Sequence, residues 1–120
     1  MAAKIDLTFQ ELATALQGMG IANAITRDAT TGQVMVNASA IIGETATDMN
    51  GTGVSELVYK LRMACGNAQD TANANLNPGE RLAAFPAFSY SPPANGKVQV
   101  TQISSFQIPL SDSTVIGTTA

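Results

Sequence analysis

The spacing of apolar and polar positions along the chain predicts two helices, each followed by a β-hairpin. The first helix is predicted over residues 8–18, where Thr8 can cap the helix and Glu11 stands three residues later, as in a capping box. Leu7 and Leu12 are placed to form the hydrophobic staple that often accompanies such a cap. The apolar face of this helix would consist of Phe9, Leu12, Ala13, Leu16 and Met19.

The first hairpin is predicted directly after this helix. Residues 21–27 read as one strand and residues 33–41 as the return strand. Between them, Asp28 and Gly32 bound a segment typical of a type I turn followed by a bulge glycine. The two strands should therefore pair antiparallel.

Side chains alternate between the two faces of the return strand. Val34, Val36 and Ala38 share one face, which their apolar character predicts to be buried. Met35 then lies on the outer face, where it is available for a contact with another molecule.

The second helix is predicted from residue 54 to residue 73, after a polar, glycine-rich loop over residues 43–53. Its apolar stripe consists of Val54, Leu57, Val58, Leu61, Ala64, Cys65, Ala68 and Ala72. Its opposite, polar face carries Glu56, Lys60, Asn67, Gln69, Asp70 and Asn73. Glu56 and Lys60 are four residues apart in the order that favours a helical ion pair.

The second hairpin is predicted over the remainder of the chain up to Pro109. Residues 81–90 read as a strand whose Pro86 indicates an edge position or a bulge, because proline cannot donate a ladder hydrogen bond. Asn95 followed by glycine favours a tight hairpin turn. Residues 97–108 read as the last strand, with a shift of phase that suggests a bulge.

The order α-β-β-α-β-β predicts an α+β fold, in which a four-stranded antiparallel sheet carries both helices packed on one face. Residues 1–109 would form this single α+β domain. Residues 110–120 would be a C-terminal tail that is mobile or docked on a neighbouring subunit.

The sheet face opposite the helices is predicted to be an association surface, because aromatic side chains left bare there would expose a large apolar patch. The apolar residues of the tail would add to it by docking on a neighbour. The predicted interface residues are Met35, Phe85, Phe88, Tyr90, Val115 and Ile116.

Composition strengthens the association hypothesis. Charged residues make up 12% of the chain, against a usual share of about 25%. Small and uncharged polar residues replace them, and their burial in a contact costs less side-chain entropy than that of lysine or glutamate. Low net charge also favours self-association, with other protein subunits as further possible partners.

Charge and hydropathy argue against several other partners. The net charge is −3, and the six basic residues are scattered, so a nucleic-acid partner is not predicted. No apolar stretch approaches the 18 residues of a membrane span, so no membrane partner is predicted. The first residues contain no signal-peptide core, which predicts a cytoplasmic protein or an assembled particle made in the cytoplasm.

Catalytic groups are scarce. The chain has no histidine, which is the usual base near neutral pH. Its one cysteine, Cys65, falls on an apolar helical stripe and reads as a small core residue. Asp48 begins a segment that resembles a calcium loop, but its twelfth position is Tyr59 instead of glutamate. No catalytic residue, metal site or cofactor is therefore predicted.

These observations leave three hypotheses. The first is a non-enzymatic structural or interaction protein that acts as a homo-oligomer or assembly subunit, such as a virion, tail or shell component. The second is a small-ligand or partner-binding module with a pocket between sheet and helices, near Tyr59, Tyr90 and Arg81. The third, ranked last, is an acid- or metal-dependent enzyme that uses Asp48.

Overall fold

The computed structural model describes residues 3–43 and 48–109, which form a mixed fold of helices and short antiparallel sheets. The helices are α1 (Phe9–Gly18), α2 (Ala38–Ile42) and α3 (Val54–Asn73), with a short 3-10 helix at Pro78–Glu80. The strands are β1 (Ile25–Arg27), β2 (Val34–Val36), β3 (Ser89–Tyr90) and β4 (Val100–Thr101). No helix in the described part of the chain is long and apolar enough to cross a membrane.

Helix α1 begins at the predicted capping box. The Thr8 hydroxyl accepts a hydrogen bond from the Glu11 backbone N–H at 3.1 Å, and the Glu11 carboxylate accepts one from the Thr8 N–H at 2.8 Å. Lys4 lies 3.0 Å from the same carboxylate. The Thr8 N–H above all, together with Lys4, lowers the pKa of Glu11.

Strands β1 and β2 form the predicted hairpin, but the return strand is shorter than predicted. It ends before Asn37, whose side chain accepts a hydrogen bond from the Ala40 N–H at 3.1 Å and so caps helix α2. Gly43 ends that helix with a φ of 77°, in the left-handed region. The prediction of a strand up to residue 41 was wrong, because Asn37 bonds locally to the backbone and starts a helix.

The core lies where the three helices meet. Its buried members are Leu16 of α1, Ile41 and Ile42 of α2, Ala64 of α3, and Ala24, which directly precedes β1. Partly buried apolar residues pack around them, and these are Leu12, Ala15, Met19, Ile21, Ile25, Leu57 and Leu61. Leu57, Leu61 and Ala64 of the apolar stripe predicted for α3 therefore pack against the other two helices, whereas Val54 and Val58 of that stripe are exposed.

Strand β2 contributes little to this core. Val34 and Val36, which were predicted to be buried, are exposed, and Met35 between them is exposed as well. Helix α2 supplies Ile41 and Ile42 to the core instead. The hairpin consequently has apolar side chains exposed on both of its faces.

The predicted four-stranded sheet is absent from the described residues. Strands β1 and β2 pair in one antiparallel sheet, and β3 and β4 pair in a separate one, with Ser89 opposite Thr101 and Tyr90 opposite Val100. Asn95 and Gly96 have φ values of 56° and 72°, as a tight primed turn requires. The second hairpin turn was correctly predicted, whereas a common sheet with the first hairpin was wrong.

Side-chain amides of α3 hold the segment before β3, in place of a neighbouring strand. Gln69 donates from Nε2 to the Phe85 carbonyl at 3.0 Å and accepts from the Phe85 N–H at 2.9 Å. One turn further on, Asn73 makes the same pair of bonds with Leu82, at 2.7 and 2.9 Å. Gln69 is only 7% exposed, so its prediction as part of a solvent-facing surface was wrong. We call this arrangement of Gln69 and Asn73 the amide clamp.

We expect Gln69→Ala to destabilise the fold, because it leaves the N–H and carbonyl of Phe85 without their partners. A buried backbone group that loses its partner costs about 1–3 kcal/mol, so the loss should be about 2 kcal/mol or more. Asn67→Ala is the control, since Asn67 is an exposed amide on the same helix. Urea unfolding of both variants measures the effect, and equal stabilities would contradict the clamp.

Gly53 is a second sensitive position. Its φ is 132°, and an added Cβ would lie 2.6 Å from Cδ1 of the buried Ile42. We expect Gly53→Ala to lower the free energy of unfolding by about 1–3 kcal/mol. Gly18→Ala is the matched control, because nothing lies within 4 Å of its added Cβ. If thermal unfolding shows the same change in melting temperature for both variants, the packing of Gly53 on Ile42 is not as described.

Candidate functional site

A cleft of about 750 Å³ lies between the first half of α3 and the β3–β4 hairpin. Its volume falls in the range of known ligand pockets. One wall is formed by α3 residues at intervals of four, which places Val54, Val58 and Arg62 along one line. The opposite wall includes the apolar Val98 and Val100 of the hairpin, and Glu56 and Gln102 also line the cleft. We refer to it as the α3–hairpin cleft.

Three aromatic rings lie beside this cleft. The ring of Tyr59 on α3 is 5.1 Å from that of Phe88 and 6.5 Å from that of Tyr90, both in edge-to-face geometry. The rings of Phe88 and Tyr90 are 6.2 Å apart. Such pairs stabilise by roughly 1 kcal/mol each beyond the area they bury. The cluster therefore fixes the β3 end of the hairpin on the helix.

A hydrogen bond of 2.9 Å joins the hydroxyl oxygens of Tyr59 and Tyr90. This bond with Tyr90 raises the pKa of Tyr59, and desolvation and the charge that Tyr90 would carry when ionised add to the effect. Tyr59 is thus neutral at physiological pH, and it offers a hydroxyl group, not a base, to anything bound nearby.

Arg62 supplies the positive charge of the cleft. Its Nη1 donates to the Ser104 hydroxyl at 2.7 Å and to Oε1 of Gln102 at 3.3 Å. Gln102 in turn donates from Nε2 to the carbonyl of Pro86 at 2.8 Å. These bonds hold the guanidinium against the hairpin.

The guanidinium has no acidic partner within the described part of the chain. The ion pairs found there are Lys4–Glu11 and Lys60–Glu56. Since Arg62 is partly buried and bonded only to neutral oxygens, a carboxylate entering the cleft would gain a charge-assisted hydrogen bond. The cleft therefore combines mainly apolar walls with one cationic end, and the one acid in its lining, Glu56, pairs with Lys60.

The predicted interface residues do not share one sheet face, because the two hairpins form separate sheets. Met35 lies on the first hairpin and is exposed, while Tyr90 is exposed on the second. Phe88 is partly buried against Tyr59, and Phe85 stacks on Phe106 with ring centroids 6.0 Å apart. Val115 and Ile116, which were predicted in the tail, lie outside the described residues.

The residues predicted to line a pocket are only partly brought together. Tyr59 and Tyr90 meet, but Arg81 lies elsewhere, where its Nε donates to the carbonyl of Leu76 at 3.1 Å. Arg62 is the arginine of the cleft, and the sequence pattern did not single it out. Its position four residues after Val58 was the available signal for this role.

The remaining candidate chemistry lies elsewhere. Asp48 accepts a hydrogen bond from the Asn50 N–H at 3.0 Å within an exposed turn. Burial raises the pKa of the Cys65 thiol, with Arg62 opposing the shift, and the thiol stays protonated at neutral pH. Within residues 3–43 and 48–109, no group of three or more Cys, Asp and Glu side chains is placed to hold a metal ion.

We expect Tyr90→Phe to lower the pKa of Tyr59, because the variant lacks the hydroxyl whose hydrogen bond raises it. Tyr59 is then the only tyrosine of the chain, so tyrosinate absorbance during an alkaline titration reports it alone. The pH midpoint of the Tyr59 titration in Tyr90→Phe should lie below the higher of the two midpoints seen in the unaltered protein. Identical midpoints would show that the hydroxyl pair does not form.

The sign of the accompanying stability change follows from the raised pKa. The stabilisation that the Tyr59–Tyr90 hydrogen bond gives the folded state is complete below the ordinary tyrosine pKa of about 10. It is lost as the pH rises through the higher pKa that Tyr59 has in the folded state. The unaltered protein should therefore lose more stability above this pH than Tyr90→Phe does. Unfolding in urea at neutral and alkaline pH measures the difference.

Comparison with known proteins adds no family to this description. No known protein family, curated protein or solved structure matches the chain. The function proposed below is therefore argued from the residues and their geometry.

Proposed function

We propose that the chain is a non-enzymatic structural protein that acts as a homo-oligomer or assembly subunit. The observation that carries the proposal is strand β2, where Val34, Met35 and Val36 are 43%, 49% and 52% exposed. Val34 and Val36 are exposed next to each other on one face of the strand, and Met35 is exposed on the other face. Single exposed apolar residues are ordinary, whereas contiguous ones mark interaction surfaces.

The backbone of β2 supports the same proposal. The strand pairs with β1 on one side, and no strand lies on its other side among the described residues. An unpaired edge is a template for another strand, and proteins that must stay monomeric usually protect such edges with lysine or proline. Strand β2 contains neither.

Addition of a strand from a second copy would supply what this hairpin lacks. A two-stranded sheet is marginally stable in water, and a third or fourth strand adds main-chain hydrogen bonds and covers the apolar side chains. Pairing of β2 with β2 of a second copy would create a four-stranded sheet across a two-fold axis. The four-stranded sheet that is absent from residues 3–43 and 48–109 of one chain would then form between subunits.

The rest of the surface suits an assembly subunit. Outside β2, the large hydrophobic side chains that are more than half exposed among the described residues are Ile5, Phe9, Met49, Val54, Tyr90, Ile103 and Phe106. With charged residues at 12% of the chain, few long charged side chains oppose contact with a neighbour. A subunit of a virion, tail or shell has these properties, and we include that class in the proposal.

A partner-binding module is the second candidate, and the α3–hairpin cleft is the observation that favours it. The cleft has mainly apolar walls and an arginine without an acidic partner in the described residues. It does not exclude assembly, since the occupant of such a cleft can belong to another subunit. An acid- or metal-dependent enzyme that uses Asp48 remains the third candidate.

We expect the purified chain to form oligomers at about 50 µM and to dissociate on dilution, as mass action requires. Val34→Lys should shift the mass measured by light scattering towards the monomer, because a lysine on the free edge opposes strand pairing. Ala29→Lys adds the same charge to the exposed turn of the same hairpin and should leave the mass unchanged.

Circular dichroism of both lysine variants checks that they fold. A monomer at all concentrations would contradict the proposed assembly. An oligomer that Val34→Lys leaves intact would contradict the use of β2.

A further inference from the structure

The geometry of the α3–hairpin cleft fits an extended segment of chain. Along its helical wall, Val54, Val58 and Arg62 are successive members of one line. With a rise of about 1.5 Å per residue, neighbours on this line are about 6 Å apart and its ends about 12 Å apart. An occupant therefore meets a cation at one end and an apolar side chain at the other.

One segment of this chain has the matching sequence. Among the nine acidic residues of the chain, Asp112 is the only one followed four residues later by a large apolar residue, which is Ile116. In an extended strand these two side chains, and that of Thr114 between them, lie on one side, and the outer two are about 13 Å apart. The spacing and the side-chain types thus agree with Arg62, Val58 and Val54 in that order.

The composition of this part of the chain suits such a conformation. Residues 114–119 contain three threonines, a valine and an isoleucine, which favour extended structure. Asp112 is the only charged residue in residues 110–120, so burial of the segment desolvates a single ion, and Arg62 can pair with it.

The course of the chain indicates which copy supplies the segment. Gln102 lies beside Arg62, but Ser105 already donates its N–H to the carbonyl of Ala84, next to the Phe85 that Gln69 holds. The chain therefore runs along α3 away from the cleft. A return to its own cleft would require a reversal, whereas residues 110–116 continued outward span about 23 Å and can reach a neighbour.

We infer that residues 112–116 of one copy bind in the α3–hairpin cleft of a second copy, with Asp112 facing Arg62 and Ile116 facing Val54. The inference rests on the proposed function, because it needs two copies in contact. The inferred contact is separate from the one at the β2 edge, and it joins the tail of one subunit to the body of the next.

A charge exchange in the full-length chain tests the inference. Arg62→Glu and Asp112→Arg each place like charges in the contact, and each should raise the dissociation constant of the assembly about tenfold or more. An equimolar mixture of the two variants should assemble better than either alone, because the tail of one then complements the cleft of the other. Native mass as a function of concentration is the readout.

A control variant and a second test variant in the tail complete the experiment. Ser113→Arg adds a positive charge one residue along, on the other side of an extended segment, and should change the dissociation constant by less than about threefold. Ile116→Asp tests the apolar end and should weaken assembly about tenfold or more. Both tail substitutions leave the core residues and the amide clamp unaltered, so they keep the test valid if Arg62→Glu impairs folding.

Each outcome decides between the alternatives. If the unaltered protein assembles and Asp112→Arg and Ile116→Asp behave like Ser113→Arg, the tail contact is overturned while the proposed assembly stands. If the double variant Arg62→Glu/Asp112→Arg assembles normally but the mixture of single variants does not, the tail occupies its own cleft and the second-copy contact is overturned. If the unaltered protein is a monomer, the proposed function fails and the contact fails with it.

Discussion

The amide clamp is the interaction on which the second half of the structure depends. Gln69 and Asn73, one helical turn apart, each bond both backbone groups of one residue in the extended segment, at Phe85 and Leu82. In most sheets a neighbouring strand supplies such pairs of bonds. Because a helix supplies them here, the segment needs no strand beside it, and among the described residues the two hairpins form separate two-stranded sheets.

The helices could be predicted from the sequence because their signals are local. The capping box at Thr8 forms and α3 runs from Val54 to Asn73 as predicted, although Val54 and Val58 of its predicted apolar stripe are exposed. The sheet could not be predicted in the same way. Its pairing depends on whether a backbone group bonds to a strand or to a side chain, and amides on a helix read as solvent-exposed until the tertiary contact is known.

Only part of the candidate site could be predicted from the sequence. The second hypothesis named Tyr59 and Tyr90 near one pocket without predicting a contact, and in the structure their hydroxyl groups are hydrogen-bonded. Arg62 was missed because an arginine on the flank of a helix is by default a surface residue. Its role depends on Gln102 and Ser104, which are forty residues away in sequence. The tail residues Val115 and Ile116 lie outside the described residues, and their contacts remain a prediction.

This explanation requires that the amide clamp forms within one subunit and that the free edge of β2 pairs between subunits. Hydrogen exchange tests both most directly. We expect the amide protons of Leu82 and Phe85 to be protected equally in dilute and concentrated protein, since their partners belong to the same chain. Protection of β2 (Val34–Val36) should rise with concentration as its edge becomes paired. Exchange in β2 that is independent of concentration, or rapid exchange at Leu82 and Phe85, would contradict this explanation of the structure and its function.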